Sequence, residues 1–132
     1  MREALAQRPL GAYALFQSDD LDEARERVAA VFCPHRLDTI GRGARMAARH
    51  HHLRGDRVSL NYIEYGAKTL IAPGMLERFY LMQIPLVGSA AIANGEDCYV
   101  TGPGQAAVLN PHRPTTMIWE ENTRQVLLQI DR

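Results

Sequence analysis

Cysteine is scarce, lysine almost missing and long apolar runs absent, and each shortage narrows what this chain is for. Two cysteines in 132 residues, Cys33 and Cys98, do not make the staple framework of a small secreted scaffold. The expectation is two buried or half-buried free thiols in a reducing cytoplasm. No stretch reaches the roughly 20 apolar residues that a membrane-spanning helix requires. The opening MREALAQRPLGAYALF has neither an apolar core of signal-peptide length nor a clean small-residue cleavage site. Excess charge is missing too: fifteen Lys+Arg stand against fifteen Asp+Glu. That balance removes the electrostatic basis for non-specific binding to nucleic acid or to an anionic membrane by these residues. Lys68 is the only lysine. We read the arginine bias first as codon usage and only second as a preference for bidentate contacts. The chain has room for one hydrophobic core and not two, and it holds no internal repeat or low-complexity segment.

What is present is strand and turn, with one helix. Residues 1–17 form a lead-in with at most a first short strand, and the body of the domain runs over 18–132. In SDDLDEARERVAAVF, Asp20 stands as N-cap with Glu23 three residues on, the capping-box spacing. Leu21, Ala24, Val28, Val31 and Phe32 follow at helical intervals, Arg25 and Arg27 face outward, and Pro34 ends the helix. After it, residues 45–53 and 57–65 flank the turn residues Arg54-Gly55-Asp56. KTLIAP is a further short strand, and ERFYLMQIPLVGSAAIA is a long β-type run interrupted at Pro85 and Gly88. Asn94-Gly95 marks a tight hairpin before DCYVT. QAAVLN, TTMIWE and RQVLLQI complete eight or nine strands. Short strands at this spacing predict an all-β barrel or sandwich with the helix packed outside or across one end.

The segments FQSDDLDEARERVAAVFCPHRL, LNYIEYGAKTLI, ERFYLMQIPLVGSAAI and VTGPGQAAVLNPHRPTTMIWEENTRQVLLQIDR occur in order over residues 16–132. Together they resemble the N-terminal cupin-like regulatory domain of AraC-family transcriptional regulators. The resemblance implies a mainly β, cupin-like double-stranded β-helix barrel of jelly-roll type with one N-terminal amphipathic helix. It implies a domain without catalysis or cofactor that binds a small effector, or relays a signal, and controls a DNA-binding domain. No helix-turn-helix pattern, recognition helix or basic face is found in these residues. DNA contact would therefore belong to a C-terminal domain outside them, and the stop at Arg132 directly after an apolar strand reads as a piece of something longer. Whether the domain is a homodimer stays open.

The triplet His50-His51-His52 invites a metal-site reading. Cupin enzymes hold a metal with two histidines one residue apart, a nearby glutamate and a distant third histidine, and His50 and His52 meet the first requirement because i and i+2 share one face of a strand. Asp56 falls in the turn, however, and no histidine follows His112, so no metal is expected. Strand parity sends His51 to the other face with Arg49, and the triplet reads as the solvated polar end of a hairpin. His35 reads as a surface loop residue and Glu120-Glu121 as a charged turn. TGPGQ has no helix after it to present amides to a phosphate. No Ser/His/Asp or Cys/His arrangement stands out. Candidates for an effector pocket are Tyr62, Tyr80, Met82 and Trp119, if alternation aims them inward, with His51 and His112 as polar anchors; such a set fits an aromatic or apolar effector. Two other readings compete: a small cupin-type metal-dependent enzyme, and a ligand-free oligomerisation module filled by its own side chains.

Overall fold

The structure, a computed structural model, describes residues 8–132. Asp20 starts helix α1 (Leu21–Val31): its backbone is extended and its side chain accepts hydrogen bonds from the Asp22 and Glu23 amides at 2.9 and 3.3 Å. Glu23 does not return the bond as a capping box would have it. Ser18 Oγ takes the Asp20 N–H instead, at 3.0 Å. Ala24 and Val28 are the buried residues of the helix, and the last turn closes on a bond from Phe32 N–H to the Val28 carbonyl. Arg25, expected to face outward, lies across the helix and donates to the Leu37 carbonyl at 2.6 Å and to Asp22 at 2.7 Å.

The described residues form eleven strands beside this helix: β1 (Ala14–Ser18), β2 (Arg36–Thr39), β3 (Ala48–Arg54), β4 (Val58–Glu64), β5 (Thr69–Gly74), β6 (Phe79–Val87), β7 (Ala90–Asn94), β8 (Asp97–Thr101), β9 (Ala107–Leu109), β10 (Thr115–Trp119) and β11 (Arg124–Asp131). They form a six-stranded sheet in the order β1-β3-β4-β11-β6-β9 and a five-stranded sheet in the order β2-β5-β10-β7-β8. Every strand pairing is antiparallel. The mainly β, two-layer reading therefore holds, with more strands than expected. The short lead-in strand exists as β1, and β2 was not anticipated. Pro85 does not break the long run: it stays inside β6 opposite Gln125. The extra residue Leu86 is absorbed as a bulge between the pairs Val87–Arg124 and Pro85–Gln125.

The core lies between the sheets. Leu37, Ile71, Met117 and Trp119 come from the five-stranded layer, and Ile63, Phe79, Leu81 and Leu127 from the six-stranded one. Asn94-Gly95 makes the expected β7–β8 hairpin, with Asn94 opposite Asp97. Asn94 also braces the next turn, accepting from the Asn110 amide at 2.9 Å and donating to Thr115 Oγ1 at 2.9 Å.

Gly88 carries the reversal between β6 and β7 at φ +81, and a Cβ there would meet Thr123 Cα and Oγ1 at 2.6 Å. Both the left-handed backbone and the contact with a backbone carbon oppose a side chain. Gly88→Ala is expected to cost about 2–4 kcal/mol in urea unfolding. Gly104→Ala, at φ +87 with nothing within 4 Å, should cost about 1 kcal/mol. Equal costs would remove the steric part of this account.

Candidate functional site

β11 sits between β4 and β6, and its parity sorts the inward residues. Gln125, Leu127 and Gln129 pair with Ile63, Asn61 and Ser59 on one side and with Pro85, Gln83 and Leu81 on the other. A polar strip therefore runs across the inner face of the six-stranded sheet. Asn61 is its hub. Its Oδ1 accepts from His50 Nε2 at 2.9 Å and His52 Nδ1 at 2.7 Å, and its amide donates to Ser59 Oγ at 3.0 Å. Ser59 donates to Gln129 Oε1 at 2.7 Å, and Gln129 Nε2 donates to the Val31 carbonyl at 3.2 Å, which ties the strip to the end of α1. Gln125 Nε2 donates to Gln83 Oε1 at 3.3 Å, and Gln83 Nε2 reaches Met117 Sδ at 2.9 Å.

Beside this strip lies a small cavity of about 40 Å³. Ile63, Leu81 and Leu127 form its six-stranded wall and Ile71, Met117 and Trp119 its five-stranded wall, with Phe32, Cys33 and His35 at the end of α1 closing it. Trp119 packs on Tyr65 with ring centroids 5.3 Å apart, and its indole N–H has no partner among the described residues. His35 donates from Nδ1 to the Cys33 carbonyl at 3.0 Å. That bond leaves Nε2 as the unprotonated nitrogen of a neutral ring, and it too is buried without a partner. Burial lowers the His35 pKa and the nearby Arg25 charge lowers it further, against the bond to Cys33. Burial also raises the Cys33 thiol, so the thiol carries no activated character.

The sequence-derived candidates scatter. Trp119 lines the cavity. Tyr80, Met82 and Tyr62 point the other way, onto the outer face of the six-stranded sheet, so their inward orientation is corrected. They alternate with Leu81, Gln83, Asn61 and Ile63, which face in. His51 shares the outer face with Tyr62, ring centroids 5.2 Å apart, and donates from Nδ1 to the Pro9 carbonyl at 2.8 Å. His112 is exposed in the turn before β10, its amide held by Asn110 Oδ1. The histidine triplet is not a solvated strand end. His50 and His51 are 0% and 4% exposed, because the inner strip claims the first and the N-terminal residues cover the second. His35 was read as a surface residue, but it walls the cavity. Cys98 is exposed rather than buried, and both cysteines are free.

Where His51 and Tyr62 do lie, a charged cluster has formed. Glu64 accepts from Tyr62 Oη at 2.9 Å and from Arg8, and it stands 3.9 and 3.7 Å from Arg49 and Arg124. Burial alone would raise the Glu64 pKa, but the bonds from Arg8 and Tyr62 and the arginine charges outweigh it, and the net shift is downward. Tyr62 is pushed up to about 12 by burial and then by its bond to the carboxylate. The arrangement holds the start of the described chain against β3 and β4.

The residues do not fit a cupin metal centre. His50 and His52 do share the inner face, but each spends a ring N–H on the same Asn61 oxygen. No cluster of three or more His, Cys, Asp or Glu suited to an ion occurs among the described residues.

A family model for the AraC-binding-like domain matches residues 24–132. The chain belongs to the AraC-binding-like domain family. Among solved structures, the AraC-like transcriptional activator CuxR superposes with a TM-score of 0.67 at 12% identity, over 88% of this chain and 46% of that one. The Schizosaccharomyces pombe Cnp3 cupin domain gives 0.56 at 9% identity, over 64% and 65%. A cupin superfamily protein from Desulfitobacterium hafniense gives 0.52 at 9%, over 74% and 78%. These likenesses show the cupin fold; the AraC-binding-like chain spans under half of CuxR and just under two thirds of the Cnp3 chain. No curated protein matches it by sequence. No helix among the described residues is long and apolar enough to cross a membrane.

His50 sets a pH dependence. Burial lowers its pKa from 6.5 to about 4; the bond to Asn61 opposes this and the charges of His52 and His51 add to it. The unfolded chain then binds the proton more readily than the folded one, so stability falls as pH drops from 6.5 towards 4 and is unaffected above that window. At 1.36 kcal/mol per unit, the loss is on the order of 3 kcal/mol. Urea midpoints between pH 7.5 and 4 should show that slope in the parent domain, and His50→Gln should flatten it. An unchanged slope in the variant would assign the proton elsewhere.

Proposed function

We propose that this domain is the ligand-sensing part of an AraC-like transcriptional regulator, binding a small effector between its sheets and controlling a helix-turn-helix domain outside these residues. The observation that carries the reading is family membership over residues 24–132, joined to a cavity at the meeting point of both sheets and the end of α1. The domain performs no catalysis of its own in this reading. Its part is to favour one arrangement of barrel, linker and DNA-binding domain, and an effector shifts that equilibrium only by its difference in affinity for the two arrangements. The working protein is a cytoplasmic DNA-binding regulator. Its membership of a family that includes AraC-binding domains supports this reading over that of a cupin-type enzyme, whose ligand set is incomplete.

The full-length gene product tests it. An encoded helix-turn-helix region downstream of Arg132, and operator affinity that changes five- to 150-fold when an effector is added, are the expected results. A downstream sequence without any DNA-binding region would overturn the regulator reading.

A further inference from the structure

The cavity wall carries chemistry that selects a ligand. Its lining contains no Arg, Lys, Asp or Glu, its imidazole, His35, is held neutral by burial, and burial likewise keeps the lining Tyr65 phenol and Cys33 thiol protonated. A charged ligand group would sit there without a counter-charge in a medium that solvates it poorly, which is strongly unfavourable. Two buried polar atoms on the lining residues nevertheless lack partners among the described residues: the Trp119 Nε1–H donor, on a side chain only 2% exposed, and the His35 Nε2 acceptor. Buried polar atoms are nearly always paired. One orphan donor and one orphan acceptor match a hydroxyl, which accepts and donates through one oxygen.

Size points to how such a ligand would enter. A cavity of about 40 Å³ has room for about three water centres, whereas a dry pocket that takes benzene measures roughly 150 Å³. One wall must move. Phe32 is the candidate: it follows the last residue of α1, is only half-buried, and fills space between the cavity and His50. It stacks on His50 at 5.7 Å with ring planes 9° apart and touches Phe79 at 6.1 Å.

Resting on the sensor reading above, we propose that the effector is an uncharged, ring-sized molecule bearing a hydroxyl, seated between Trp119 and His35 and admitted by outward rotation of Phe32. The hydroxyl accepts from the indole N–H and donates to His35 Nε2, while the ring takes the place of the Phe32 side chain against Ile63, Leu81 and Met117. Because Gln129 binds the Val31 carbonyl next to Phe32, displacement of Phe32 bears on the end of α1, which would make that end the first element to register the ligand.

Trp119 is the only tryptophan, so its fluorescence, excited at 295 nm, reports on this cavity. The probes are benzyl alcohol and cyclohexanol, with toluene, benzoate and benzylamine as controls, titrated into the 132-residue domain at pH 7.5. The two alcohols should shift the emission saturably, with dissociation constants on the order of 1 mM or tighter, and should raise the thermal midpoint. Toluene should bind about five- to tenfold more weakly, and benzoate and benzylamine should not bind. Phe32→Ala should tighten the alcohols about tenfold. Trp119→Phe, followed by calorimetry, should weaken them about fivefold, the size of one net hydrogen bond. Tighter binding of benzoate or benzylamine than of the alcohols would overturn the ligand class while leaving the sensor reading intact. No binding by any probe, even to the Phe32→Ala variant, would overturn the pocket itself; the operator experiment on the full-length protein then decides the regulator reading separately.

Discussion

The pairing of β11 with both β4 and β6 is the constraint on which the rest of this structure depends. The last strand is one of the two central members of the six-stranded sheet, so its register decides which residues of both neighbours face inward. A slip of one residue would turn every side chain of the strand to the other face. As built, Gln125, Leu127 and Gln129 look in, while Val126, Leu128 and Ile130 look out. The same parity delivers Asn61 to His50 and His52, Gln83 to Gln125 and Gln129 to the end of α1. The cavity, the polar strip and the anchoring of the helix all follow from one strand alignment.

That alignment inverts the usual rule for a half-buried sheet. Across β4, β11 and β6 the inner face carries Ser59, Asn61, Gln83, Gln125 and Gln129, and the outer face carries Leu60, Met82, Val126, Leu128 and Ile130. Polar side chains tolerate such burial only when they satisfy one another, and here all five hydrogen-bond to another member of the strip. Away from the Glu64 cluster the outer face is left apolar, with Val58, Leu60, Tyr80, Leu86 and Val108 between 37% and 59% exposed. Registers Leu60–Leu128–Met82–Val108 make the patch continuous across four strands, a kind of surface that soluble monomers seldom leave large and open.

The inversion explains what was legible in the sequence and what was not. Strand positions, the α1 cap at Asp20 and the Asn94-Gly95 hairpin depend on local chemistry, and they were read from composition and spacing. β2 was missed because RLDT is four residues with one fully buried side chain, Leu37, too short for a period. Facing is a different matter. Apolar residues normally point to the core, which would aim Tyr62, Tyr80 and Met82 inward, but in this sheet glutamine, asparagine and serine share the core-facing positions with Ile63, Phe79, Leu81 and Leu127. Trp119 faces inward because the five-stranded sheet keeps the ordinary rule on β10, where Met117 and Trp119 are buried. His35 carried no signal in the sequence: only the fold of the chain after Pro34 brings it to the cavity wall.

Combining an apolar, uncharged wall with a polar strip on the same inner face has an energetic consequence for sensing. Most of the strip's polar atoms are paired internally, leaving the buried His50 Nδ1 and Gln125 Oε1 without a partner among the described residues, and none of the strip residues lines the cavity. At the cavity lining, differential binding energy in the proposed reading comes from apolar area and from the two unpaired atoms on Trp119 and His35. The cavity in its described form is small, so in the proposed reading part of that energy is spent in enlarging it. The observed affinity is then reduced by the fraction of molecules already open. In the proposed reading such a pocket discriminates against polar metabolites and favours a ligand whose burial outweighs the displacement of Phe32. Selectivity in that proposal is set as much by the cost of moving one aromatic side chain at the end of α1 as by the contacts inside.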